Sequence, residues 1–303
     1  MTTTDSLVDR PATSPAFQPI SGGRKTKNLF ATVLVTLAFL LALVPLGWLL
    51  VTVVVNGFEA ITTSTWWSHS LKGVMPDEVN GGVYHAIYGS VIQSLICAII
   101  AVPVGIFTAI YLVEYGRGKL AKTVTFMVDI LSGVPSIVAA LFIFALWITA
   151  FGFPKSALAV SFALVLLMLP VVVRSTEEML RLVPDQLREA SYALGVPKWK
   201  TIVRVVLPTA MSGMVTGVML AIARVMGETA PVLVLVGYSR SINFDAFDGN
   251  MASLPLLIMN ELMNPEAAGQ LRVWGAALTL ILLVMLFNLV AALVSRFSAV
   301  RSK

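Results

Sequence analysis

The sequence predicts an all-α polytopic membrane protein with six transmembrane helices, and three observations carry that reading. Hydrophobic residues make up 57% of the chain and charged ones 12%, with a mean hydropathy of +0.88. That balance lies outside the range of soluble domains. Six apolar runs are long enough to cross about 30 Å of hydrocarbon as helices. The basic residues gather on alternate connections between the runs, as the positive-inside rule requires of a multi-pass protein.

Residues 1–28 are rich in Thr, Ser and Pro without apolar periodicity, which predicts a disordered cytoplasmic tail. The first apolar run, 29–55, exceeds a signal-peptide core and no small-residue cleavage site follows it, so it is expected to stay as a membrane anchor. Residues 56–85 read as an outer loop, where Glu59, Asp77 and Glu78 accompany Trp66 and Trp67. Those tryptophans suit an interfacial belt, and Tyr84, His85 and Tyr88 suit anchoring at the next boundary. A core domain over 86–300 holds the other five spans, near Ile87–Val113, Val124–Ala150, Ser156–Val173, Ser212–Gly237 and Val273–Ser295. Between the last two lies an outer loop whose apolar stretch, Leu254–Met259, fits a short re-entrant or surface helix.

With the N-terminus inside, sixteen basic residues face the cytoplasm and four (Lys72, Lys155, Arg240, Arg272) face outward. Both termini are therefore cytoplasmic. Topology accounts for the net charge of +5, so the bilayer is the expected partner of the basic segments and no nucleic acid is needed. Cys97 is the single cysteine, which excludes an intrachain disulfide. His69 and His85 are the other soft ligands, too few for a dedicated metal site.

The fifth span carries an arginine and a glutamate one helical turn apart, Arg224 and Glu228, with Thr229 beside them and Pro231 beyond. A charge at bilayer depth costs roughly 2.5–3.5 kcal/mol on the insertion scale, so it usually marks a pathway. An arginine offers a planar, permanent fork to an anion; the structural alternative is a self-neutralised pair. Gly213, Gly217, Ala221, Arg224, Glu228 and Pro231 recur at three- and four-residue steps and share one helix face. Its small residues invite close approach by another helix, expected to be a partner's at the pore axis. Pro231 either bends the span as part of a gate or makes a static kink. Ser132 and Ser136 in the third span either line an anion route or serve packing, and Arg174 at the inner end of the fourth reaches for lipid phosphate.

Spans four and five are joined by a cytoplasmic segment, about 175–211, that reads as two short amphipathic helices. Pro184 and Asp185 suit a first helical turn. Leu187, Ala190, Ala193 and Leu194 form an apolar stripe, while Arg188 and Glu189 take other faces. Gly195 and Pro197 stop the helix and turn the chain. A second helix is expected to start at Lys198, to bury Ile202, Val205 and Val206, and to end at Pro208. Such a knob suits docking into a groove on another protein.

Glu189-Ala190-Ser191, three residues, Gly195, nine residues, Val205, one residue, Leu207-Pro208 resembles the EAA loop of bacterial ABC-importer permeases. Ser191 and Val205 replace the usual Ala and Ile without altering the spacing. The segments Asp129–Val138, Leu169–Leu180 and Ala223–Pro231 resemble the phosphate-specific permeases, and among them the PstA-type subunit. The resemblance runs from about Tyr84 to the C-terminus. It implies a type I ABC-importer permease architecture in a bacterial inner membrane, with a homologous PstC-type permease completing a heterodimeric pore. It also implies two copies of an ATP-binding subunit on the knobs and an extracytoplasmic phosphate-binding protein. Arg188 to Lys198 and Leu207-Pro208 then become the coupling loop, and Arg174 becomes an exit candidate. Glu228 would hold Arg224 between passages or accept the proton of a protonated phosphate.

The chain lacks a Gly-x4-Gly-Lys-Ser/Thr loop, so ATP and Mg are expected on the partner ATPase, with no cofactor in this chain. No nucleophile–base set is present, which makes the chain a pore subunit and not an enzyme. A secondary anion transporter would leave the knob unexplained and predicts internal repeats that are not visible. Sulfate or molybdate stays open as the substrate.

Overall fold

A computed structural model of the chain describes residues 22–298. The predicted tail therefore falls largely outside the described residues, and its last part is helical, because α1 (Gly22–Thr62) begins seven residues before Leu29. Hydropathy marks where hydrocarbon contact ends, whereas the backbone ladder runs on through Arg24, Lys25 and Lys27. The same helix carries past Val55 into the predicted outer loop.

Two compact units divide after Thr52. In the first, the described part of α1 is a helical rod with apolar side chains exposed along it, among them Leu34, Leu37, Leu41 and Trp48. The second unit starts at Val53 with the last turns of α1. It continues through α2 (Ser64–Ser68), α3 (Tyr84–Ile110), α4 (Gly118–Ser132), α5 (Ser136–Ile143), α6 (Ala157–Arg181) and α7 (Asp185–Ala193). After α8 (Lys198–Thr201) come α9 (Leu207–Met226), α10 (Ala230–Leu235), α11 (Leu254–Glu261) and α12 (Ala267–Ser298). Single wider turns of π type extend α3 to Tyr115, α5 to Ala150 and join α8 to α9. Among the described residues every regular element is helical.

The hub is α6. Ser156 caps it, accepting the Ala159 N–H at 3.3 Å, which satisfies one of the unpaired donors of the first turn. Ala157, Ala159, Val160 and Ala163 then present a small, fully buried face. On it lies α3, tied by the Ser161 hydroxyl donating to the Gln93 carbonyl at 3.1 Å, with Cys97 Sγ 3.6 Å from Met168 Sδ. The other flanks of α6 hold α9, α5, α4 and α10. Small side chains permit this close approach where lipid supplies no hydrophobic drive between helices.

Two predicted spans are not continuous helices. The third consists of α4 and the α5 segment, bent by 107° at Gly133-Val134-Pro135. Pro135 lacks an N–H and restricts the residue before it, so the ladder stops at Ser132. The fifth breaks at Gly227-Glu228-Thr229, and α10 then packs on α5. Five helices are long and apolar enough to cross a membrane, and six spans result when the bent pair counts as one. Pro208 does not end a helix as predicted; it sits in the first turn of α9, where a missing N–H costs nothing.

On the outer side, Trp66 is buried and not interfacial, its Nε1–H donating to Thr279 Oγ1 at 2.9 Å. His85 is likewise buried. The apolar residues Leu254, Leu256 and Leu257 draw α11 into the protein, against α12 and α3. The first outer loop is clamped there. Arg272 donates to Glu261 at 3.0 Å and to the carbonyls of Met75 and Glu78, while Asn264 reaches the Pro76 carbonyl at 3.0 Å.

Candidate functional site

Arg224 lies in the last turn of α9 and is exposed. The helix ends two residues later, with Gly227 and Glu228 donating their N–H groups three residues back, to Arg224 and Val225. The one-turn spacing of Arg224 and Glu228 therefore does not survive as a continuous helix face, and no ion pair joins them among the described residues. Neither side chain has any hydrogen bond there. An arginine without an internal counter-ion is a cation left available to something else. Glu228 and Thr229 are half-buried at the break, and Pro231 is buried in the first turn of α10.

The small-residue face of α9 is occupied by this chain itself. A side chain at Gly213 would strike Met179, and one at Gly217 would come within 2.5 Å of Ser175. Both targets lie on α6, so the seam closes inside the subunit and does not meet a partner permease. A close-packing signal names no neighbour.

Arg174 does not reach freely for lipid. Its guanidinium is held between Asp129 of α4 and Glu177 of α6, the latter at 2.7 Å. Glu177 also receives Arg181 at 2.7 Å. Ser132 turns its hydroxyl onto the Asp129 carbonyl at 2.9 Å, which finishes α4 just before the break, and Ser136 opens α5 on the other side. The two serines thus flank a bend.

The knob is built as the sequence suggests at its turn. After Ala193, Gly195 adopts φ +74°, its N–H donates to Tyr192 at 2.9 Å, and Val196 N–H reaches Ser191 at 3.2 Å. These paired bonds make a Schellman C-cap, which needs a left-handed residue and hence glycine. Ser191 and Thr201 share a buried 2.8 Å hydrogen bond that fixes α7 against α8. Ile202 and Val206 are buried, while Val205 is only half-buried. Ala190 and Glu189 face out, and Leu194 is 83% exposed, as Trp199 largely is. The apolar stripe points away from its own protein. It is a surface waiting for a groove.

One residue that spacing does not reveal anchors this knob. Glu114, on the wide turn after α3, is 5% exposed and accepts Arg188 Nε and Nη2 at 3.1 and 3.0 Å. Arg188 also donates to the Val183 and Leu180 carbonyls at 2.7 and 3.0 Å, and Lys198 Nζ donates to the Glu114 carbonyl. The ring of Tyr115 lies 4.7 Å below that ammonium, a cation–π distance. A lone glutamate inside an apolar run was the available signal.

Residues 101–301 match the family described as binding-protein-dependent transport system inner membrane component. The phosphate transport system permease protein PstA of Mycobacterium leprae (strain TN) is 67% identical over 294 residues, 97% of this chain and 96% of that one. This chain belongs to the PstA family of ABC-importer permeases. PstA 1 of Mycobacterium tuberculosis (strain ATCC 25618 / H37Rv) is 62% identical over 296 residues, 98% of this chain and 96% of its own length. Among solved structures, a bacterial ABC transporter involved in the import of the polysaccharide alginate matches with a TM-score of 0.61. That match is 13% identical and covers 92% of this chain and 98% of that one, so it bears on the fold alone. As a PstA-family permease the chain is a multi-pass inner membrane component that works with a substrate-binding protein and an ATPase.

Proposed function

We propose that this chain is half of the pore of an ATP-driven inorganic phosphate importer, paired with a homologous PstC-type permease. In this reading two ATP-binding subunits dock on the knobs and hold the ATP and Mg, and an extracytoplasmic phosphate-binding protein delivers the substrate. The termini are cytoplasmic. The observation that carries the reading is Arg224, an arginine at bilayer depth with no counter-ion in its own chain, at a break where backbone groups are free to turn toward the path. Its fork matches two oxygens of a tetrahedral oxyanion. Glu228 and Thr229 supply an acceptor and a hydroxyl at the same break; phosphate near neutral pH carries a proton for that acceptor and sulfate does not.

Docking of the ATPases on Leu187, Ala190 and Leu194 would move α7, and the Arg188–Glu114 anchor would pass that motion to α3 and α6. The deciding experiment is labelled-phosphate uptake in cells lacking this chain, complemented with wild type or Arg224→Ala. Rescue by wild type alone, with equal membrane levels, supports the reading. Phosphate uptake that survives deletion removes phosphate as the substrate and directs the same assay to sulfate and molybdate.

A further inference from the structure

The ion-pair chain Asp129–Arg174–Glu177–Arg181 is asymmetric. Glu177 is 8% exposed and held by two arginines, so it is a fixed counter-ion. Asp129 is 59% exposed and has Arg174 as its single salt-bridge partner among the described residues. It stands on the last turn of a helix in which only Val128 is buried, one turn before the 107° bend. A cavity of about 370 Å³ opens beside the pair, lined by Lys122, Thr125, Asp129, Glu177 and Arg181. It is roomy for an inorganic oxyanion.

The register of α6 against α9 places this cluster on the route from Arg224. Gly217 packs on Ser175 and Gly213 on Met179, so Arg174 lies opposite Val218 in the antiparallel pair. At ~1.5 Å per residue, that is about 9 Å nearer the knob than Arg224. An anion leaving Arg224 toward the cytoplasm next meets a guanidinium whose outer carboxylate is free to swing away.

We propose that Asp129 is the exchangeable counter-ion of Arg174, and that the adjoining cavity receives an oxyanion which displaces it on the way out. This rests on the phosphate-importer reading. Glu177 keeps Arg174 in place during the exchange, and Asp129 ejects the anion by returning to the guanidinium. Asp129 and Glu177 are positioning and release residues of a second station, distinct from the break at Gly227–Thr229.

The test uses the full transporter in cells and in nanodiscs. Asp129→Asn removes the returning charge, so the maximal rate of phosphate uptake should fall about tenfold, with the half-saturating concentration unchanged. Asp129→Glu should recover most of the rate. A structural link alone would lower protein level or thermal stability and leave the rate per transporter intact. A second measurement does not depend on that variant. Thr125→Cys places a thiol on the cavity wall, the native Cys97 being buried. Millimolar inorganic phosphate should slow its modification by a charged thiol reagent, and Arg174→Ala should abolish the protection. Absence of protection overturns the proposal, as does an Asp129→Asn transporter with the wild-type rate. If wild type itself takes up no phosphate, the substrate reading and this proposal fall together; if it transports normally, only this proposal is at risk.

Discussion

Arg188 of the knob and Glu114 of the turn after α3 form a buried ion pair, 74 residues apart in the chain and 3.0 Å apart in space. The arginine spends its remaining donors on two carbonyls at the end of α6 and its outset. The knob is thus bolted to two membrane helices at once. Removing one partner of a buried pair typically costs about 3–5 kcal/mol, because the other charge is left uncompensated. Glu114→Ala should therefore loosen the knob, cutting phosphate uptake at least about tenfold while ATP hydrolysis by the complex continues. The phosphate carried per ATP consumed is the measurement, and an unchanged ratio would count against coupling through this pair.

Gly195 gives a graded test of the same element. Its positive φ makes Gly195→Ala cost roughly 1 kcal/mol of local stability. Proline there also loses the N–H bond to Tyr192, and its fixed negative φ is incompatible with the turn. Gly195→Pro should uncouple hydrolysis from uptake with the protein still in the membrane, and Gly195→Ala should fall between. Equal uptake in all three would sink the assignment.

Arg224 predicts function lost without stability lost. Having no partner among the described residues, it leaves nothing orphaned when truncated, so Arg224→Ala should shift the melting temperature little and abolish uptake. Arg224→Lys keeps the charge but not the fork, and should retain partial transport. A large melting shift would make the residue structural. Glu228→Gln should narrow the preference for phosphate over sulfate; an unchanged preference removes it as a proton acceptor.

The α6–α9 seam is testable by volume. Ala at Gly217 would place its Cβ 2.5 Å from the Ser175 side chain, and overpacking of this kind costs typically about 1–3 kcal/mol. Gly217→Ala should lower thermal stability, and Ser175→Gly in the same chain should restore most of it. If the seam belonged to a partner helix, the second change would rescue nothing.

The outer clamp makes a separate prediction. Glu261 is 2% exposed and faces Arg272 at 3.0 Å and Arg240 at 3.8 Å. Glu261→Ala leaves Arg272 buried and unpaired, at a cost of about 3–5 kcal/mol. Limited proteolysis in the loop around Met75–Glu78 should accelerate, since its carbonyls are held by the same arginine.

What was legible in the sequence is whatever depends on local pattern. Apolar runs placed the spans, and Gly195 with Pro197 placed the knob's turn, because a left-handed cap needs glycine. Pairings across the chain were not legible. Glu114 reads as a stray acid until Arg188 is folded onto it, and Arg174 reads as a snorkelling residue until Asp129 arrives from α4. Hydropathy averages over a window, so it counted the third and fifth spans while missing that both break. The glycines of α9 announced a close neighbour correctly but could not say that it was the chain's own α6.

The two breaks have a consequence for water. Where α4 gives way to α5 and α9 to α10, the i→i−4 ladder stops, and amides and carbonyls at the depth of the hydrocarbon lose their regular partners. Bare peptide groups are not tolerated against lipid. These points must therefore be wet, and they set a hydrated layer inside an otherwise oily wall. The membrane's dielectric barrier is thin where the backbone is irregular, so an ion there keeps part of its hydration shell and crosses by short hops between solvated levels.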